Sequence, residues 1–130
     1  MSNHNKNGAV VFVKYLERCV AFYRHTMALA VTHEEAGLVV LESDTMQLVM
    51  HAIPPSIAGT FEITDPPQPR EDASVKLFFY VDDFAAARST AAEYGGRVQA
   101  ADKEWAWRGF RACDGVDPEG NVVQIRRIEY

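Results

Sequence analysis

A chain of 130 residues that is 48% hydrophobic and 11% aromatic has the length of one domain and enough apolar material to bury a core, which excludes general disorder. With 13 Lys and Arg against 18 Asp and Glu, the net charge of -5 speaks against a nucleic-acid partner, which needs a basic footprint. Two cysteines far apart make no disulfide scaffold, no apolar run reaches the ~20 residues of a membrane span, and the polar start from Met1 to Asn7 lacks a secretory layout; a cytoplasmic protein without a membrane partner is expected.

The first half opens on a β-prone run, Val10, Val11, Phe12 and Val13. A helix follows in which Leu16, Cys19, Val20, Tyr23 and Met27 recur at spacings of three and four, so one of its faces is buried. His25 beside Arg24 reads as the polar side of that helix, and His33 before Glu34 and Glu35 as a hairpin edge. Two further β-prone runs occupy residues 38–41 and 46–50. Five of the six prolines, Pro54, Pro55, Pro66, Pro67 and Pro69, then fall between residues 51 and 70. Because proline removes a backbone donor and fixes φ, this stretch predicts an irregular connection dividing the chain.

The second half repeats the opening. Residues 77–81 read as a strand, followed by a helix with Asp83 as N-cap, Phe84, Ala87, Ala91 and Tyr94 as its apolar stripe, and Gly95 and Gly96 as its stop. Residues 105–113 and 122–125 are its later β-prone runs. Each half is therefore β-α-β-β-β, and the fold class is α+β. Such a module cannot cover its own sheet, so two must pair, within the chain or between chains. The domain spans 1–130, with modules at about 8–51 and 75–127 joined by the Pro-rich segment.

These paired modules, Phe22-Tyr23 in the first helix, and the stretch Trp107-Arg108-Gly109-Phe110-Arg111 running toward Asp117-Pro118-Glu119-Gly120-Asn121 together resemble the vicinal oxygen chelate superfamily. That superfamily includes glyoxalase I, extradiol dioxygenases and bleomycin-resistance proteins, and the resemblance covers residues 8–127. The 117–121 turn is structural: Pro118 presets φ, Gly120 and Asn121 tolerate positive φ, and Asp117 can bond the backbone ahead. The resemblance implies a cup-shaped mixed β-sheet with helices outside, and a homodimer that covers exposed sheet edges. In metal-dependent members it implies a His, Glu or Gln ligand on the first and last strand of each module. The matching positions hold Gly8, Gln47, Lys76 and Gln124; Gly8 and Lys76 cannot ligate a divalent ion and the two amides are weak donors. No metal and no other cofactor is expected. The alternative, a metal-dependent glyoxalase-like lyase, isomerase or dioxygenase, would use Gln47 and Gln124, with or without His51.

Strand parity sets the lining of the cup. If Gln47 and Gln124 face inward, so do Val10, Phe12, Val49, His51, Lys76, Phe78, Tyr80, Val122 and Arg126, while Val11, Val13, Leu48, Leu77, Phe79, Val81, Val123 and Ile125 pack beneath the helices. The candidate ligand-binding residues are Phe12, Gln47, Val49, His51, Lys76, Phe78, Tyr80, Trp105, Trp107, Gln124 and Arg126, a set of apolar walls with a few polar anchors. For Trp105 and Trp107, which share one face of their strand, both a ligand wall and a packing or interface role stay open. Neither a Gly-x-Ser-x-Gly elbow nor a phosphate loop is present. The expected function is small-molecule binding without catalysis, sequestering an antibiotic or metabolite. Lys76 and Arg126 at contact range outweigh the screened net charge and favour an anionic or neutral aromatic ligand.

Overall fold

The computed structural model describes residues 5–129; the first four residues of the polar start, including His4, and Tyr130 lie outside the described residues. The first module runs β1 (Asn7–Val13), α1 (Leu16–Thr26), β2 (Ala30–Glu35), β3 (Leu38–Glu42) and β4 (Met46–Ala52). The connection carries a short helix, α2 (Pro55–Ala58). The second module runs β5 (Leu77–Tyr80), α3 (Phe84–Glu93), β6 (Arg97–Val98), a 3-10 turn (Ala101–Lys103), β7 (Trp105–Trp107), β8 (Phe110–Val116) and β9 (Val122–Ile128). Two mixed sheets result, ordered β1-β4-β3-β2 and β5-β9-β8-β6, with β7 paired to β8. In each, the first strand runs parallel to the last and the other pairs are antiparallel. The α+β class follows, and the sheets do not close into a barrel.

The two helices start and stop by different means. Asp83 accepts a hydrogen bond from the Ala86 N–H at 3.1 Å, and α3 ends where Gly95 takes φ +87° and the Gly96 N–H reaches back to the Ala91 carbonyl. A left-handed residue there satisfies the last carbonyls. Helix α1 has no side-chain cap of its own. Its entry is held from the other module, where the Glu119 carboxylate accepts from the N–H groups of Lys14 (2.8 Å) and Tyr15 (2.6 Å). At its far end Ala28, not glycine, adopts φ +53°.

Val13, Leu48, Phe79, Val123 and Ile125 alternate inward along their strands and join Cys19, Phe22, Tyr23, Phe84, Ala87 and Ala91 in a single buried cluster. One core thus serves both modules, and α1 packs against α3 within the chain. Strands β1 and β5 border a common cavity at the junction, lined by Asn7, Gly8 and Ala9 from one strand and by residues 77–80 from the other.

Three details differ from the sequence expectations. The run 105–113 is not one strand: it folds back at Arg108 (φ +48°) and Gly109 (φ +85°), and Trp107 pairs with Phe110 across this two-residue turn. Positive φ at both central residues gives the turn the twist that a hairpin needs. Asn121 stays out of the left-handed region, and its side-chain amide instead donates to Asp117 at 2.8 Å. The Pro-rich connection is irregular but closely packed. Its early part touches the first module through the Lys14 ammonium, which donates to the Phe61 carbonyl; its later part lies on the second, with Arg70 N–H on the Gly120 carbonyl at 2.8 Å and Arg97 on the Pro67 carbonyl at 3.3 Å.

Candidate functional site

The faces turned away from the helices are open. Phe12 is 59% exposed and Phe78 46%, while their strand neighbours Val13 and Phe79 are 0% and 4% exposed. The register extends this open face across the second sheet. Ala112 and Asp114 on β8 stand opposite Arg126 and Gln124 on β9, and Trp105 and Trp107 on β7 stand opposite Ala112 and Phe110.

On this sheet the candidate residues converge around Arg126. Its Nε donates to the Gln124 Oε1 at 2.7 Å. Its guanidinium carbon lies 3.5 Å from the centre of the Phe78 ring and 4.1 Å from that of Phe110, rings supplied by the strands on either side of β9. Phe78 continues to Tyr80 (6.3 Å between centres), and Phe110 to Trp105 (6.0 Å) and Trp107 (5.8 Å). A continuous aromatic wall therefore runs from Tyr80 to the two tryptophans, with a stacked cation at its centre. Phe110 escaped the sequence reading for a physical reason. On an unbroken strand it has the parity opposite to Trp105 and Trp107, and the turn at Arg108 and Gly109 moves it onto their face; the Arg-Gly pair was the available signal.

The remaining candidates are elsewhere. Lys76 is not a free cation facing a ligand, because its ammonium bonds Asp114 at 3.0 Å; it lies beside a cleft of about 430 Å³ walled by the 69–76 segment and β6, and also lines the cavity that Phe78 and Tyr80 border. On the first sheet, Phe12 and His51 form a tilted ring pair 5.4 Å apart, and His51 Nδ1 donates to the Ala52 carbonyl at 2.8 Å. Val49 is half-buried opposite Val10, and Gln47 donates to Glu42 at 2.8 Å, with Lys6 3.9 Å from the same carboxylate. Glu42 and Asp114 were not singled out from the sequence; both share the open face through pairing that only the register reveals.

The four positions implied for a metal do not fit one. A Cβ on Gly8 would stand 1.8 Å from the Gln47 carbonyl oxygen, so this backbone has no room for any side chain there. Lys76 carries a positive charge, Gln47 is turned to Glu42, and the Gln124 oxygen already holds Arg126. Among the described residues no group of three or more His, Cys, Asp or Glu is placed to hold a metal ion.

A second polar cluster lies buried at the module junction. Asp117 accepts from the Tyr23 hydroxyl (2.7 Å), the N–H groups of Glu119 and Asn121, and the Asn121 amide. Burial raises the Asp117 carboxyl above its usual range even though these bonds pull the other way, and burial with the Asp117 charge pushes Tyr23 well up. Cys19 is likewise raised, first by burial and then by Asp117. Such a thiol is protonated and inert. The cluster joins the turn to α1; Asp117 is fully buried, while Tyr23 and Asn121 also line a cavity of about 470 Å³ between β1 and residues 73–77.

Comparison with known proteins agrees with this architecture. A glyoxalase-like domain model matches residues 9–126. No curated protein sequence matches the chain. Among solved structures, a glyoxalase/bleomycin resistance protein/dioxygenase family enzyme from Burkholderia phytofirmans PsJN superposes with a TM-score of 0.67 at 17% identity, covering 94% of this chain and 97% of the other. A lactoylglutathione lyase from Agrobacterium tumefaciens gives 0.58 at 20% identity over 98% and 96%. A glyoxalase-related enzyme from Fulvimarina pelagi gives 0.66 at 14% identity over 96% and 88%. At these identities the structures establish a shared fold, and the match over residues 9–126 establishes more: this chain belongs to the glyoxalase-like domain family, within the vicinal oxygen chelate superfamily that its sequence resembles.

Proposed function

We propose that the chain is a binding protein that holds a flat small organic molecule, a metabolite or an antibiotic, against the open face of its second module, with no bond made or broken. The observation that carries this reading is the aromatic wall from Tyr80 through Phe78, Arg126 and Phe110 to Trp105 and Trp107. Several large rings left exposed side by side are costly to hydrate and suit a planar partner. The misfit at Gly8 and the engagement of Gln47, Lys76 and Gln124 support a role that does not need a metal. A homodimer belongs to the same reading, and sedimentation showing a monomer at micromolar concentration would remove it.

Both tryptophans of the chain stand on this wall, so their emission reports on it. A thermal-shift screen of aromatic metabolites and glycopeptide antibiotics should return compounds that raise the melting temperature and quench tryptophan emission, and Phe78→Ala should weaken each about tenfold. A screen without stabilising compounds sinks the proposal. About one transition ion per chain by elemental analysis would restore the lyase or dioxygenase alternative.

A further inference from the structure

Resting on that binding reading, we infer that the ligand of the aromatic wall is a planar aromatic acid carrying one negative charge, and that Arg126 reads the charge through the two terminal nitrogens of its guanidinium. Four observations point there. Among the described residues Arg126, at the centre of the wall, makes no ion pair, while Lys76 on the same sheet is matched by Asp114. The Nε is already used on Gln124 at 2.7 Å, which fixes the rotation of the group and leaves the far edge, with both Nη atoms, to a partner. The Phe78 and Phe110 rings at 3.5 and 4.1 Å cover the faces of the guanidinium, so its donors act in the plane. Finally, those rings shield part of the half-buried cation from water, and a carboxylate meeting two parallel N–H groups there gains more than it would in bulk solvent.

The geometry also fixes the charge. With Lys76 neutralised, the uncompensated cation at the centre of the wall is Arg126, while Arg108 stands at its end, 5.2 Å from the centre of the Trp107 ring; a monoanion matches the single central charge better than a phosphate. The Gln124 oxygen, at a position where the resemblance implies a metal ligand in metal-dependent members, here orients the guanidinium. A fixed organic cation thus stands where the resemblance implied an ion.

The test uses three acids, benzoate, 2-naphthoate and indole-3-carboxylate, each beside its primary amide, titrated calorimetrically into the full chain. At least one acid should bind about tenfold or more tightly than its amide, as expected for a charge-assisted pair, and the preference should shrink with added salt. Arg126→Gln should bring acid and amide within about twofold of each other, and Arg126→Lys, which keeps the charge but loses the fork, should fall between. Circular dichroism confirms that the variants fold; should they not, the acid-against-amide comparison in the unmodified chain decides alone. Amides that bind as well as the acids overturn the inference and leave the binding reading standing. An acid preference that survives Arg126→Gln overturns the assignment to Arg126. Failure of every acid and amide to bind at millimolar concentration overturns the inference, and the thermal-shift screen then decides the binding reading by itself.

Discussion

The two modules share one topology and differ in what each does with its loops and its open face. In the first, the loop before the last strand, at Ser43, Asp44 and Thr45, is short and Asp44 and Thr45 are exposed. In the second, the corresponding turn is buried from Asp117 to Gly120, and its two carboxylates reach out of their own module to hold α1. The open faces diverge as well: a lone Phe12–His51 pair on one sheet, a run of rings around Arg126 on the other. A repeated module can therefore keep its apolar side constant, because one core constrains both copies, and change freely where no partner packs.

The sharpest test of this asymmetry is at the turn. Glu119→Ala leaves the Lys14 and Tyr15 N–H groups without their acceptor, and should cost about 3 kcal/mol in urea unfolding, whereas Asp44→Ala in the other module should change stability by no more than about 0.5 kcal/mol. Equal losses at the two sites would end the comparison. Next in size is the first strand of each module. Gly8→Ala forces the backbone away from the Gln47 oxygen and should cost about 2 kcal/mol, while Lys76→Ala, at the matching position, removes only an exposed ion pair worth at most about 1 kcal/mol.

The helix ends give a smaller, opposed pair. Ala28→Gly should stabilise and Gly95→Ala destabilise, each by about 1 kcal/mol in thermal unfolding, because both positions are left-handed and only one holds glycine. The smallest effect is confined to the second module, where Arg111 and then Arg88 hold the Glu104 carboxyl below its ordinary 4.5. A lowered folded pKa contributes stability above the unfolded value and loses it as pH falls through the folded one. Glu104→Gln should therefore lower the stability measured by urea unfolding at pH 7, by under about 1 kcal/mol for ion pairs near the surface, and the gap to the unmodified chain should close in acid below pH 4.5.

Much of this architecture was legible in the residues. The period-two alternation in β1, β4, β5 and β9 assigned the helix-covered face, since a single slip would have turned Leu48 or Ile125 to water. Asp83 and Gly95 marked the ends of α3 by local chemistry alone. What escaped were facts of partnership. Lys76 looked like an anchor until β8 brought Asp114 to it, and the start of α1 has no signal nearby because its cap lies a hundred residues on. Phe110 was overlooked because one tight turn sets its face. Parity within a strand can be read from sequence; what stands across from it is set by tertiary pairing.

The connection between the modules has a consequence for how the chain can be divided. Phe61 and Glu62 lie against Lys14 of the first module, whereas Pro67 and Arg70 are tied to the second, and a Cβ on Gly120 would meet the Gln68 carbonyl oxygen at 2.1 Å. The boundary of the two modules is therefore inside the linker, near Thr64, and not at either of its ends. Fragments separated at that point would each carry their own half of the strap and present complete complementary surfaces, including Glu119 for α1. Fragments cut after Arg70 would leave the 117–121 turn bare, so a split reporter built on this scaffold belongs at residue 64.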